Sequence, residues 1–589
     1  MTKRLLAIAA LIGAGALWAQ DPNQAPPQDQ SQAPTQDQAQ APAQDPPSRV
    51  ARLSLIYGQV SFQPATVTDW TVATLNYPVT IGDHLYADDN SRAELYIGTT
   101  AVRLGPKSGL SFLNLDDRLV QIRVDQGALI VRVKNLADDD SYEIDTAQGA
   151  ITLLRAGEYR IDSDPDRNAT MVTVRSGDAA VTTNGGSFPV HAHQTGYYPG
   201  DGTQPQLQTE NPNDPFDLFS TNQDRRDDLT PAPQYVSRDM PGWQDLDRNG
   251  TWTRDPTYGP AWRPNAVAEG WAPYRNGHWA WIDPWGWTWI DDAPWGFAPF
   301  HYGRWVMVGG GWAWVPGPIA PRPVYAPALV AFVGGGSLRV GVGGGMAVAW
   351  FPLGPREVFV PAYRVSPVYV NRVNVVTVTN VTVVNRVYVN QTVGITAVDN
   401  RTFVSAQPVN RAIVPIPRDA IARAQVVNAA AVAPQRASVM GRAGAPVNVP
   451  HPSAQVMERQ VFAQRTPPPA PVSFAARQQA LQANPGHPLA PQTVNQLRAT
   501  APVRQPAVRT LPPVNTPAPA APARFPVATP QRPSPVAPNA PAARPVTPPV
   551  ERPAATTPAM PRPAAGEEKT PAKKDNRKKK KAEEKKEEK

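Results

Sequence analysis

Between residues 50 and 198 apolar and polar positions alternate in short runs: RLSLIYG at 52–58, AELYIG at 93–98, LVQIRV at 119–124, ALIVRV at 128–133, SYEID at 141–145 and MVTVRSG at 171–177. Polar clusters such as ADDNS, LADDD and DSDPDRN part them. Period-two runs about ten residues apart predict an all-β domain over 49–200, and no stretch of helical period interrupts them. A polar, Asn/Asp/Pro-rich stretch at 201–240 reads as a linker. Beyond residue 317, ALVAFV, LRVGV and MAVAWF alternate with glycine triplets, which predicts glycine-joined strands over 317–400 rather than one membrane-spanning helix. The Val/Asn text at 369–391 is read as further strands.

The middle of the chain has a different rhythm. Of the 16 tryptophans, 13 fall between Trp243 and Trp314. GWAPYRNGHW at 270–279 recurs as GFAPFHYGRW at 296–305, and GWTW at 286–289 recurs as GWAW at 311–314. The repeat of about 26 residues marks a module over 241–316. Asp283-Pro284-Trp285-Gly286 has turn chemistry. With Gly286 as a left-handed bulge, the loop has three residues; Asp283 then faces Trp287, and Trp281 faces Trp289. Gly309-Gly310 predicts a two-residue turn with Trp305 opposite Trp314 and Met307 opposite Trp312. Each hairpin thus carries one tryptophan-laden face. A buried aromatic removes about 150–250 Å² from water, roughly 4–6 kcal/mol gross, so a few such rings can hold a small sheet. A mainly structural role is therefore expected for the tryptophans, but thirteen exceed what a module of this size can fully bury, so some rims are expected to stay exposed. Trp279, Trp281, Trp287, Trp289, Trp305, Trp312 and Trp314 are the candidate binding residues of that alternative, with indole faces suited to stacking on a cell-wall glycan or to a protein or lipid surface.

Composition narrows the class. The chain has 589 residues, 70 prolines and no cysteine, which excludes disulfide scaffolds, zinc fingers, thiol catalysis and iron–sulfur ligation. Residues 1–19 carry Lys3, Arg4 and an apolar run too short to span a bilayer, the pattern of a signal peptide. The mature chain is then expected outside the cytoplasm, periplasmic or envelope-associated, without a transmembrane span. A Gln/Ala/Pro/Asp octet repeats through the linker at 20–48. Residues 401–565 are Ala/Pro-rich and read as mostly disordered, with short helical candidates at 418–431, 454–464 and 473–483. The Lys/Glu tail at 566–589 supplies much of the net charge of +8. Its mixed signs suit a solvated segment, and no nucleic-acid partner is expected.

Several landmarks of the first module resemble the FecR-like domain of bacterial envelope proteins. They are Gly58-Gln59-Val60, the Val79-Thr-Ile-Gly82-Asp83-His-Leu85 step, Ser91-Arg-Ala-Glu-Leu95, and the strand opened by Gly127-Ala-Leu. Where that family usually reads Arg-Gly-Thr, this chain has Arg155-Ala156-Gly157. The resemblance implies a layered β-structure and a tie to periplasmic signalling toward a sigma factor. A signal peptide stands where the family's cytoplasmic segment would begin, so direct control of a sigma factor is not expected. The tryptophan stretch is similar to a Trp-rich bacterial domain of unknown function that often follows a FecR-like domain; the likeness continues through Trp350 to Tyr363. The expected class is all-β modules with long disordered Pro-rich segments.

Candidate chemistry is sparse. Asp245, Asp247 and Asn249 open like a calcium loop, but the twelfth position is Pro256, where an EF-hand needs Glu. His191 and His193 alternate as on one strand face, without a third ligand nearby. His278 and His301 flank the tryptophan strands as hydrogen-bond donors. Asp283, Asp291 and Asp292 are the carboxylates a glycosidase reading would use. No nucleophile elbow, phosphate loop or zinc motif occurs. A non-enzymatic binding or scaffolding protein is expected, with no catalytic residue, metal or cofactor, and with a cell-wall glycan or envelope protein as partner.

Overall fold

The computed structural model describes residues 45–512, except 232, 335–338, 341–344, 376–386, 442–447 and 502–504. All of these belong to one compact unit. The segment read as a signal peptide, the octet linker to residue 44, the Pro-rich stretch from 513 and the Lys/Glu tail lie outside the described residues. The fold class is as the alternation predicts: strand-rich, with 36% strand and 17% helix, in several sheets.

The first module is built from 17 strands in two sheets that share one long member. That member, Leu119–Val133, fuses the two runs read separately from the sequence. Its first half pairs parallel with Ser141–Asp145 in one sheet. Its second half pairs antiparallel with Gly157–Asp164 in the other. Gly127 makes the crossing: its φ is +81°, and a Cβ there would sit 2.6 Å from the Ser108 Cα. Gly58 and Ser91, both landmarks of the family likeness, meet in a similar way. Gly58 has φ +73°, and the Ser91 hydroxyl beside it accepts the Gln59 N–H at 2.9 Å.

The expected linker at 201–240 is not one. Strand Gln206–Thr209 extends the first module, and Pro215–Leu229 is a 15-residue helix. Asp214 caps it, accepting from the Phe216 and Asp217 N–H groups, while Asp217 returns a contact to the Asp214 N–H. Pro215 stands at the first helical position. The helix has little apolar face. It docks through charge: Asp217 meets Arg160 and Arg175, Asp224 meets Arg103 and Arg132, and Asp228 meets Arg132 and Lys134.

The tryptophan segment forms three hairpins. Gly250–Asp255 with Gly259–Pro264 and Arg304–Val308 with Gly311–Val315 join in one four-stranded sheet. Gly277–Ile282 with Gly286–Asp291 stands apart as a two-stranded ribbon. The strands expected beyond 317 are present at Val330–Val333 and Gly345–Pro352. The Val/Asn text breaks the pattern: Pro367–Asn374 is a helix, and residues 376–386 lie outside the described residues. Ser366 caps this helix through the Tyr369 N–H, and Tyr369, Val370 and Val373 are buried, so capping and packing override β-branched propensity.

The arm expected to be mostly disordered is ordered from 401 to 512 outside its undescribed gaps. Its helices at Arg418–Arg423, Ala454–Met457 and Phe474–Ala483 fall inside the three predicted windows, and Arg436–Met440 and Pro491–Thr500 are additional. The arm has too few apolar residues for a core of its own, but it borrows others. Val426–Val427 joins the sheet edge at Phe332 and Val333. Farther on, the Phe462 N–H donates to the Thr146 carbonyl, and the Gln464 N–H to Glu143, both on the first module.

Candidate functional site

Cross-strand register places the candidate tryptophans. In the isolated ribbon Trp279 faces Trp289 and Trp281 faces Trp287. The predicted parity therefore holds, but the register is shifted by two residues. The three-residue loop is Asp283–Trp285, and Gly286, with φ +87°, sits inside the ladder opposite Ile282. The other hairpin has the predicted register: Gly309-Gly310 turns with both φ positive, and Trp305 faces Trp314 while Met307 faces Trp312.

Burial overturns the binding-surface reading. The seven candidates Trp279, Trp281, Trp287, Trp289, Trp305, Trp312 and Trp314 are 0 to 7% exposed. Of the 13 clustered rings only Trp252 and Trp271 are half-buried. The cover comes from segments outside 241–316. Trp279 packs against Phe332, Trp350 and Phe403, each about 5.4 Å between centroids. Trp287 lies 4.4 Å from Phe403 and donates its indole N–H to the Val432 carbonyl of the arm. Trp305 and Trp314 donate to the Pro299 and Tyr302 carbonyls at 2.8 Å. A sugar ring has no access to these faces in the folded chain. The indoles are the core that joins the repeat to its neighbours.

The remaining candidates are also engaged by the protein itself. His193 lies in a turn with φ 66°, off the strand that holds His191; each histidine meets its own carboxylate, Glu210 and Asp178 respectively. Asp245 pairs with Arg52 at 2.6 Å, Asp247 accepts from the Trp252 indole, and Asn249 donates to the Asp245 carbonyl. Among the described residues no group of three or more His, Asp or Glu is arranged to hold a metal. Asp283 pairs with Arg477 at one end of the ribbon. Asp291, at the other end, is buried and accepts from the Trp289 indole and the Ala293 N–H, and burial holds its carboxyl well above the usual range. The three carboxylates are thus split between two ends, with Asp292 exposed.

His278 is buried in the ribbon. His301 is fully buried between the Phe297 and Tyr325 rings and meets the Ala326 carbonyl through Nδ1 at 2.8 Å. Burial pushes its pKa down to about 3, against about 6.5 in an unfolded chain. Its stabilising contribution is therefore complete above the unfolded value and falls away as pH drops toward the folded one. From about pH 7.5 to pH 5 this residue alone is expected to remove about 2 kcal/mol of stability. His301→Asn keeps a donor for Ala326 and does not titrate. Urea titrations at both pH values should show less than about half that loss in the variant, and an equal loss would exclude His301 as the source.

One junction escaped the sequence reading. Arg52 of the first module is buried beneath the tryptophan segment. Its Nη1 meets Asp245, its Nη2 donates to the Pro294 carbonyl, and its Nε and Nη2 meet Asn76 Oδ1. Asn76, in the left-handed region at φ 63°, donates to the Asp291 and Ala293 carbonyls. A lone arginine in an alternating strand gives no hint of such a clamp.

No curated protein matches the chain. Among solved structures, two crystal structures of a protein described as an anti-sigma factor from Parabacteroides distasonis ATCC 8503 are similar at 11% and 12% identity, each with a TM-score of 0.20. Each match covers 22% of this chain, and this chain spans 60% of the length of those structures. The central segment, residues 243–357, matches the model of a family of unknown function, DUF6600; it reaches past the repeat to the strand Gly345–Pro352 that covers the tryptophans.

Proposed function

We propose that this chain is an exported, non-enzymatic protein of the cell envelope that serves as a binding scaffold. In this reading the first module and the tryptophan segment, tied together by the arm, supply the surface that other envelope components bind. The observation that carries the reading is the path of the arm. It gives up its Val432 carbonyl to Trp287 and its Gln464 N–H to Glu143, so it grips both β modules. Export draws its support from the basic and apolar pattern of residues 1–19. A carboxy-terminal fusion to alkaline phosphatase tests it: activity should require residues 1–19, and equal activity without them would refute export. Cross-linking in cells followed by purification should recover the chain with envelope proteins; recovery of the chain alone would count against a scaffold. A signalling role rests on the landmarks at Gly58, Gly82 and Ser91. Deletion should then change the transcripts of a sigma-factor regulon, and an unchanged profile would remove that reading.

A further inference from the structure

A cavity of about 290 Å³ lies where three parts of the chain meet: the first module, the ribbon loop at Asp283–Trp285, and the arm between Pro468 and Arg498. Its walls are mostly apolar, with Ile81, Leu115, Trp281, Val472 and Leu489 among them. Its charged lining is unbalanced: Arg49, Arg477 and Arg498 face Asp83 and Asp283. Asp83 is engaged elsewhere: its oxygens accept from the Ala65 N–H, the Thr80 N–H and the Thr80 hydroxyl. Arg49 is directed to Asp140 and the Asp116 carbonyl. Arg477 is only 5% exposed, and one of its nitrogens meets Asp283 at 2.7 Å. Its Nε and Nη2, like Nε of Arg498, have no hydrogen-bond partner among the described residues. A buried guanidinium with two idle donors is costly unless an acceptor completes it, and a carboxylate matches its fork.

We propose that this cavity binds a small amphipathic anion, a monocarboxylate whose apolar body lies along the proline, leucine and tryptophan walls while its carboxylate meets Arg477 and Arg498. The volume is about twice that of a 150 Å³ apolar cavity that admits benzene, which sets the apolar body at roughly ten carbons. A junction of segments is a usual place for such a site. The proposal is independent of export and of the scaffold reading.

Calorimetric titration of the full chain with decanoate and with decan-1-ol tests it. Saturable binding of one decanoate per chain is expected, with decanol at least roughly tenfold weaker. Arg477→Met should erase that preference. Val494→Trp fills the cavity from its half-exposed helix and should weaken decanoate at least roughly tenfold while leaving the melting temperature near that of the wild type. If Arg477→Met does not fold, Arg498→Gln and Val494→Trp decide the matter. Absence of saturable heat up to about 1 mM decanoate, equal binding of decanol, or unchanged affinity in Val494→Trp would each overturn the proposal.

Discussion

Trp289→Ala is expected to lower stability by about 4 kcal/mol, the cost of removing a large aromatic from a packed interior. Trp289 is fully buried, with Trp279 at 5.6 Å, Tyr274 at 5.8 Å and Trp350 at 6.4 Å between ring centroids. Its indole N–H is also a donor to the buried Asp291 carboxyl at 3.0 Å, and the variant leaves that oxygen without it. Both losses act in the same direction. Trp252→Ala is the control, because that ring is half-buried at the edge of the cluster; about 1–2 kcal/mol is expected there. Urea denaturation of both variants against the wild type gives the comparison through the shift in midpoint. A loss below about 1 kcal/mol for Trp289→Ala would mean that the ring is dispensable to the core.

The tryptophan pattern was legible as geometry and as a mainly structural cluster, but the exposed rims expected beside that role are missing from the seven candidates, for a reason that particular rings make clear. Alternation and turn residues fix which side of a ribbon a side chain takes, so the shared face of Trp279, Trp281, Trp287 and Trp289 follows from sequence. What lies against that face does not. Phe332, Trp350, Phe403 and Val432 come from up to about 150 residues away along the chain, and no local rule places them. Counting only residues 241–316 left an excess of aromatic area that those neighbours absorb. The loop register slipped by two for a smaller reason. Gly286 has the expected left-handed backbone, but it stands inside the ladder rather than in the loop. The helix at Pro215–Leu229 could have been found. Asp214, Pro215 and Asp217 spell a capping box, but the stretch lacks an apolar stripe, and periodicity is what a sequence reading trusts most. The arm was misread on composition for the same reason: its few apolar residues complete cores built by other segments.

That helix supplies the second large effect. Arg103→Met is expected to cost about 3–5 kcal/mol, because it removes one buried cation from two buried carboxylates. Arg103 is wholly enclosed; its Nε meets Glu94 at 2.7 Å, and its Nη1 meets Asp224 at 2.7 Å and the Ser220 hydroxyl at 2.8 Å. Glu94 already titrates above its ordinary value, since burial outweighs the pull of the guanidinium, and losing Arg103 removes the main opposing influence. Asp224 keeps Arg132 at 3.1 Å, so the helix should loosen rather than depart. Proteolysis between Thr209 and Pro231 should therefore quicken along with the fall in stability. The triple change Arg103→Met, Glu94→Gln, Asp224→Asn separates the two physical causes. If the cost lies in stranded charge, neutralising both partners should recover most of it, whereas if the helix is held by the attraction itself the triple variant should remain as weak as the single one. A single variant within about 1 kcal/mol of the wild type would show that the Arg103–Asp224 pair contributes little to the docking of this helix and that its other ion pairs and its cap hold it.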